Sequence, residues 1–118
     1  MRPLEKTYSP GSVDERPEFP GGSMALRDFI YFNLRYPKPA AQSAIQGKVI
    51  VGLVIEKDGS VTDVKIVKGI HPLLDAEALR VVTMIPKYKP GRLQGKAVRV
   101  AYSIPVNFGL PGSQSPVK

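Results

Sequence analysis

The chain has 118 residues and a formal charge of +7, with 42% hydrophobic and 23% charged side chains, the size and balance of one small globular domain. It contains no cysteine, which excludes disulfides, thiol catalysis and thiolate metal sites, and no stretch has the length of a membrane span or the pattern of a signal peptide. The 12 prolines and 11 glycines predict short elements with frequent breaks.

Residues 1–18 (MRPLEKTYSPGSVDERPE) are polar, proline-containing and without apolar period, and are expected to form an extended or partly disordered lead-in. Phe19-Pro20-Gly21-Gly22 reads as a turn, with Ser23 placed as a helix N-cap. From Met24 onward, Leu26, Phe29, Ile30 and Leu34 recur at helical spacing until Tyr36-Pro37, where proline disfavours a helical residue before it. Residues 39–45 suit a second short helix with Pro39 in its first turn. Residues 48–56 (KVIVGLVIE) are β-branched and apolar on both faces, as a covered central strand should be.

Lys57-Asp58-Gly59-Ser60 is a hairpin turn, since glycine accepts positive φ. In the strand that follows, Thr62, Val64 and Ile66 face inward while Asp63 and Lys65 face water. Pro72 suits a first helical position, with Asp75 and Glu77 near the positive end of the helix dipole. Leu74, Ala78, Val81, Val82 and Ile85 share one face of that helix, and Arg80 and Thr83 lie opposite. Pro86 stops it and Pro90-Gly91 turns the chain. Val98, Val100, Tyr102, Ile104, Val106 and Phe108 then alternate with smaller or polar residues, the longest period-two run in the chain. Residues 111–118 (PGSQSPVK) read as a disordered tail.

The order helix, strand, strand, helix, strand gives an α+β fold. The expected core is a three-stranded antiparallel sheet with the hairpin's first strand in the middle, the last strand on its free side, and two helices on one face. Pro105 lacks an N–H and belongs at an edge, so the last strand is an edge strand with few devices against pairing with another chain.

Residues for catalysis are scarce. His71, the only histidine, precedes Pro72 at a helix start, and the serines include no nucleophile elbow. Asp58 and Asp63 do not have calcium-loop spacing. No catalytic, cofactor-binding or metal site is expected. Lys87, Tyr88, Lys89, Arg92, Lys96 and Arg99 cluster around the last turn, where a nucleic acid could in principle dock. The turn carries neither a GXXG clamp nor a paired-aromatic RNP strand, so a nucleic-acid partner is not expected. Two uses of the exposed edge stay open: addition of a peptide strand, and pairing with a second copy of the chain.

Five landmarks follow in order: PEFPGG (17–22), YP (36–37), IQGKVIVGLVIEKDGSVTDVKIVKG (45–69), LDAEALRVVTMIPKYKPG (74–91) and GKAVRVAYSIPVNFGL (95–110). Together they resemble the TonB C-terminal domain family, in the flavour of Bacteroidetes-type chains where PEFPGG precedes the domain. The resemblance covers residues 13–110, with the domain itself at 19–110. It implies a periplasmic domain at the end of a longer protein anchored in the inner membrane and working with the ExbB–ExbD complex on the proton-motive force. It also implies capture of the TonB box of outer-membrane transporters by strand addition to the last strand, here Val98, Arg99, Val100, Ala101, Tyr102, Ser103 and Ile104. Tyr36 and Pro37 are carried over as peptide-proximal residues. Lys87, Lys89 and Arg92 are expected to steer acidic segments toward the edge. The family's tryptophan before the PG turn is replaced by Tyr88, whose ring is expected to fill the same site with a hydroxyl in need of a partner. Because this chain shows no anchor, it is expected to be the soluble end of a longer protein, an orphan domain or a sensor-linked one.

Overall fold

The computed structural model describes residues 6–110. Residues 1–5 and the expected disordered tail at 111–118 lie outside the described residues. The elements are β1 (Thr7–Tyr8), α1 (Ser23–Asn33), α2 (Lys38–Gln42), β2 (Gly47–Ile55), β3 (Val61–Lys68), α3 (Pro72–Thr83), β4 (Gly91–Leu93) and β5 (Lys96–Phe108).

The three long strands pair as expected, with β2 between β3 and β5 and antiparallel to both. The β2–β5 register runs unbroken from Gly47↔Phe108 to Ile55↔Val100. Two short strands enlarge the sheet to five: β4 folds back antiparallel on the start of β5, and β1 lies parallel to β5 on the side away from β2. The sheet is therefore mixed rather than purely antiparallel. Its apolar face is made by alternate residues: Val49, Val51, Leu53 and Ile55 of β2, and Val100, Ile104, Val106 and Phe108 of β5 are all buried. On β5 the residues between them, Ala101, Ser103, Pro105 and Asn107, are exposed.

Helix α3 covers this face with Leu74, Ala78, Val81 and Val82, each fully buried, and α1 adds Ile30. At α3's start the His71 imidazole Nδ1 accepts the Leu73 N–H at 3.1 Å, and the Asp75 carboxylate accepts the Ile70 N–H at 3.0 Å. His71 is thus an N-cap, which satisfies one of the free amides of a helix start. Glu77 does more than complement the helix dipole, and Arg80 is not simply turned to water. The Glu77 carboxylate accepts the Arg35 N–H at 2.6 Å, while Arg80 donates to Glu77 and, at 2.8 Å, to the Asn33 carbonyl. This pair fastens the end of α1 to α3. Burial raises the Glu77 pKa, but the Arg80 hydrogen bond and the Arg35 amide outweigh it and leave the carboxyl below its ordinary value.

One local expectation is corrected. The N-cap of α1 is Gly22, at φ 89°, and Ser23 is the first helical residue with no side-chain cap, because the turn closed by the Gly22 N–H on the Phe19 carbonyl (2.7 Å) places the glycine there. In the described part of the lead-in, residues 6–18, Glu15 pairs with Arg92 and Glu18 with Lys89 through backbone hydrogen bonds of 2.8–3.1 Å, and the Gln94 N–H binds the Asp14 carboxylate at 2.7 Å. Of the two expected forms, this part takes the extended one, as a strip that pairs with the segment after α3.

Candidate functional site

Two edges of the sheet lack a strand neighbour among the described residues: the outer side of β3, and the outer side of β5 beyond its pairing with β1. The β5 edge is the candidate, since the sequence reading placed the site there. Its hydrogen-bonding sense follows from Pro105. Proline has no N–H to exchange with Ile50, its partner on β2, yet the register passes through that pair without a bulge. The ladder at this point must be carried by the residues on either side, so the nitrogen and carbonyl of Pro105 face away from β2. Alternation then turns the backbone groups of Arg99, Ala101, Ser103 and Asn107 the same way. Toward a newcomer, Ser103 and Asn107 offer an N–H and a C=O, and Pro105 only a C=O.

The seven residues expected to bind a peptide are not equally available. Val98 pairs with Gly91 of β4, and Arg99 and Val100 pair with Thr7 and Tyr8 of β1. Val100 is also fully buried. Ala101, Tyr102, Ser103 and Ile104 remain, and the stretch without a strand neighbour on that side continues to residue 108 among the described residues. The stretch of β5 without an outer strand neighbour is therefore its C-terminal half. The pairing that covers the first half comes from a polar lead-in segment that carries no periodicity to read.

Beside the open stretch runs a groove. Arg27, Asp28, Ile30 and Tyr31 of α1 and Leu34 at its C-cap face Pro105 and Asn107 across a cavity of about 330 Å³. A second cavity of about 310 Å³ continues it past Leu26 to Tyr102 and Ile104. An added strand would project every other side chain into this groove. Of the residues lining it, Leu26, Ile30 and Leu34 belong to the apolar helical period of the sequence, while Arg27 and Tyr31 carry no signal there. Their second neighbour, an open strand edge, becomes visible only once α1 is docked.

Tyr36 lies at the far end of the open stretch. Its hydroxyl donates to the Ile45 carbonyl, and its ring stands edge-on to Phe108 with centroids 5.6 Å apart. Burial raises its pKa, so it stays neutral. Pro37 follows as the N-cap of α2. The basic loop is elsewhere. The Lys87 ammonium lies 3.6 Å from Asp58 in the β2–β3 turn, Lys89 pairs with Glu18, and Arg92 donates to the Gly95 carbonyl at 3.2 Å. Lys87, Lys89 and Arg92 thus gather at the opposite end of the sheet from Tyr36, and none of the three lines the groove. At that end Glu56 accepts two hydrogen bonds from Arg99, at 2.7 and 3.2 Å, and another from Thr62. The Arg99 bond is the main cause of a Glu56 pKa below the usual carboxylate value, against an opposing effect of burial. Among the described residues no three His, Asp or Glu side chains gather as a metal site would require, and no helix is long and apolar enough to cross a membrane.

Residues 33–110 match the family described as Gram-negative bacterial TonB protein C-terminal. The chain belongs to the TonB C-terminal family. The TonB proteins of two Helicobacter pylori strains are each 34% identical to it over 102 residues, which cover 84% of this chain and 34% of theirs. The chain thus spans about a third of the length of these curated relatives. Two solution structures of the Helicobacter pylori TonB C-terminal domain superpose with TM-scores of 0.59. The shorter fragment is 32% identical and covers 76% of this chain and 95% of its own length. The longer is 28% identical and covers 94% of this chain and 100% of its own length. The shared fold places the β5 edge and the α1 groove within a TonB-type domain.

Proposed function

We propose that this domain is the periplasmic, peptide-capturing end of a TonB-type energy transducer. In this reading the TonB box of an outer-membrane transporter adds as a strand to residues 101–108 of β5, and its alternate side chains enter the α1 groove. The whole protein would be anchored in the inner membrane and draw on the proton-motive force through the ExbB–ExbD complex, the domain itself acting mechanically rather than as an enzyme. The observation that carries the proposal is the half-open edge. Backbone donors and acceptors of Ser103 and Asn107 and the Pro105 carbonyl face outward beside a groove of mixed polar and apolar lining, where an extended peptide gains main-chain bonds and side-chain pockets together. Tyr36 and Pro37 stand where such a strand would reach the end of β5. The basic loop has no contact role here.

The test is Ser103→Pro. Residue 103 is exposed and its N–H faces outward, so proline removes a bond to the partner without touching the β2–β5 ladder. Peptides copied from the N-terminal extensions of the organism's outer-membrane transporters are titrated against the labelled domain by NMR. Shifts along residues 101–108, with binding weakened about tenfold or more in a folded Ser103→Pro variant, are expected from the loss of one central rung and its register. Equal affinity of wild type and variant would overturn strand addition at this edge.

A further inference from the structure

The outer edge of β5 already holds a strand, and that strand is the chain's own. Thr7 pairs with Arg99 and Tyr8 with Val100 in parallel, and the slanted bonds of a parallel pair also engage the outward Ala101 N–H, just before the stretch without a strand neighbour. Around the pairing, the Thr7 hydroxyl accepts from Arg99 Nη1 at 2.9 Å, the Lys6 ammonium lies 4.9 Å from the Tyr8 ring centroid, and Pro10–Ser12 then turns the chain away. Residues 14–18 are bound at several points to residues 89–94. The described lead-in thus holds a strip at 14–18 and, before it, a parallel strap on β5 that ends where the open stretch begins.

We propose that β1 sets the length of segment that this edge accepts. This rests on the strand-addition reading above and refines it. With β1 in place, a captured segment pairs with residues 101–108 and no further, which suits a partner stretch of about eight residues in extended form. A longer extended segment reaches Arg99 only by displacing Thr7 and Tyr8. The Arg99 side chain, which links Glu56 to Thr7, stands at that boundary. Parallel pairing is slightly less stable per residue than the antiparallel kind, so a longer ladder can take the strap's place, while tethering keeps the strap at high local concentration.

The experiment uses the whole chain and a Tyr8→Pro variant, whose missing N–H removes the β1 donor facing β5; a chain lacking residues 1–9 serves as a second variant. Two synthetic peptides from one transporter extension are used, a trimmed one of about seven residues and one of about eleven. Three readouts are taken: amide exchange without peptide, affinity, and the Thr7 and Tyr8 signals during titration. The expectation is faster exchange of the outward Arg99 and Ala101 amides in both variants, with the inward Val106 amide unchanged. The long peptide should bind the variants about tenfold more tightly than the intact chain, the worth of the rungs it no longer has to displace, while the short one should bind all three alike. Equal affinity of the long peptide for intact chain and variants would overturn the strap, and so would unchanged exchange at Arg99 and Ala101. If neither peptide binds any of the three proteins, the strand-addition reading fails and this proposal with it. Binding of both peptides with no dependence on β1 would sink the strap alone.

Discussion

Tyr88 is the residue whose surroundings fit it least. Its ring is 4% exposed and packs edge-on to Phe19 and Tyr102, with centroids 5.7 and 6.0 Å away, so it fills the core site that the resemblance assigned to tryptophan. Its hydroxyl is buried and has no hydrogen-bond partner among the described residues, and burial pushes its pKa well up. A buried hydroxyl without a partner costs about 1–3 kcal/mol. Tyr88→Phe removes that cost and keeps the ring, so unfolding in urea should show stability unchanged or raised by about 1 kcal/mol. A clear loss would mean that the hydroxyl has a partner. Glu56 is the opposite case, a carboxylate with several partners. Its pKa is lowered from the ordinary 4.5, chiefly by Arg99, so its stabilising contribution is complete above that value and is lost as pH falls through the lower folded value. Glu56→Gln should therefore destabilise the domain by about 1 kcal/mol at neutral pH, the upper range for a partly exposed ion pair, and make little difference at pH 2. A variant equally destabilised at both pH values would show that packing, not charge, is what Glu56 contributes.

Among the elements, the β2–β3 hairpin does more than reverse the chain. Gly59 has φ +88°, its carbonyl accepts the Tyr88 N–H at 2.8 Å, and a Cβ built on it would stand 1.9 Å from the Tyr88 carbonyl oxygen. The turn is the seat for the loop after α3. Gly59→Ala should thus lower stability by about 2–3 kcal/mol, more than the usual cost of a strained turn residue, and the loss should show in thermal unfolding together with displaced Tyr88 signals. A loss of only a few tenths would mean that the loop shifts freely. This seat was half legible in sequence: the DG pair announced the turn, but nothing local announced what would rest on it. The same holds more widely. The long strands and α3 were readable because β2 is a β-branched run apolar on both faces, Val98 to Phe108 alternates, and Leu74, Ala78 and Val81 repeat with the helical period. A two-residue strand such as Thr7–Tyr8 has no period, and a three-residue strand such as Gly91–Leu93 barely has one. Their existence depends on partners distant in sequence, so the edge looked open from Val98 when it opens only at Ala101. Pro105, by contrast, declared the edge correctly, because a missing N–H is a property of the residue itself.

For the whole molecule, Pro105 also bears on self-association. It interrupts the row of outward donors between Ser103 and Asn107, one of the ways an exposed strand is kept from pairing with its own kind. Pro105→Val restores the donor and improves strand propensity while leaving the β2 ladder as it is. Sedimentation should show the variant dimerising at concentrations where the parent is monomeric. If both sediment alike, the proline is not what limits edge-to-edge pairing.

The position of β1 has a mechanical consequence. Tension entering at residue 6 and carried along the chain meets the Thr7–Tyr8 rungs before it meets the strip at 14–18 or any helix. A pull from that end would strip this pairing first and leave the hydrophobic core untouched. It would also bare the outward backbone of Arg99 on the strand proposed above to grip a captured segment. Load would then lengthen the edge available for holding on, so that the grip could grow firmer when pulled.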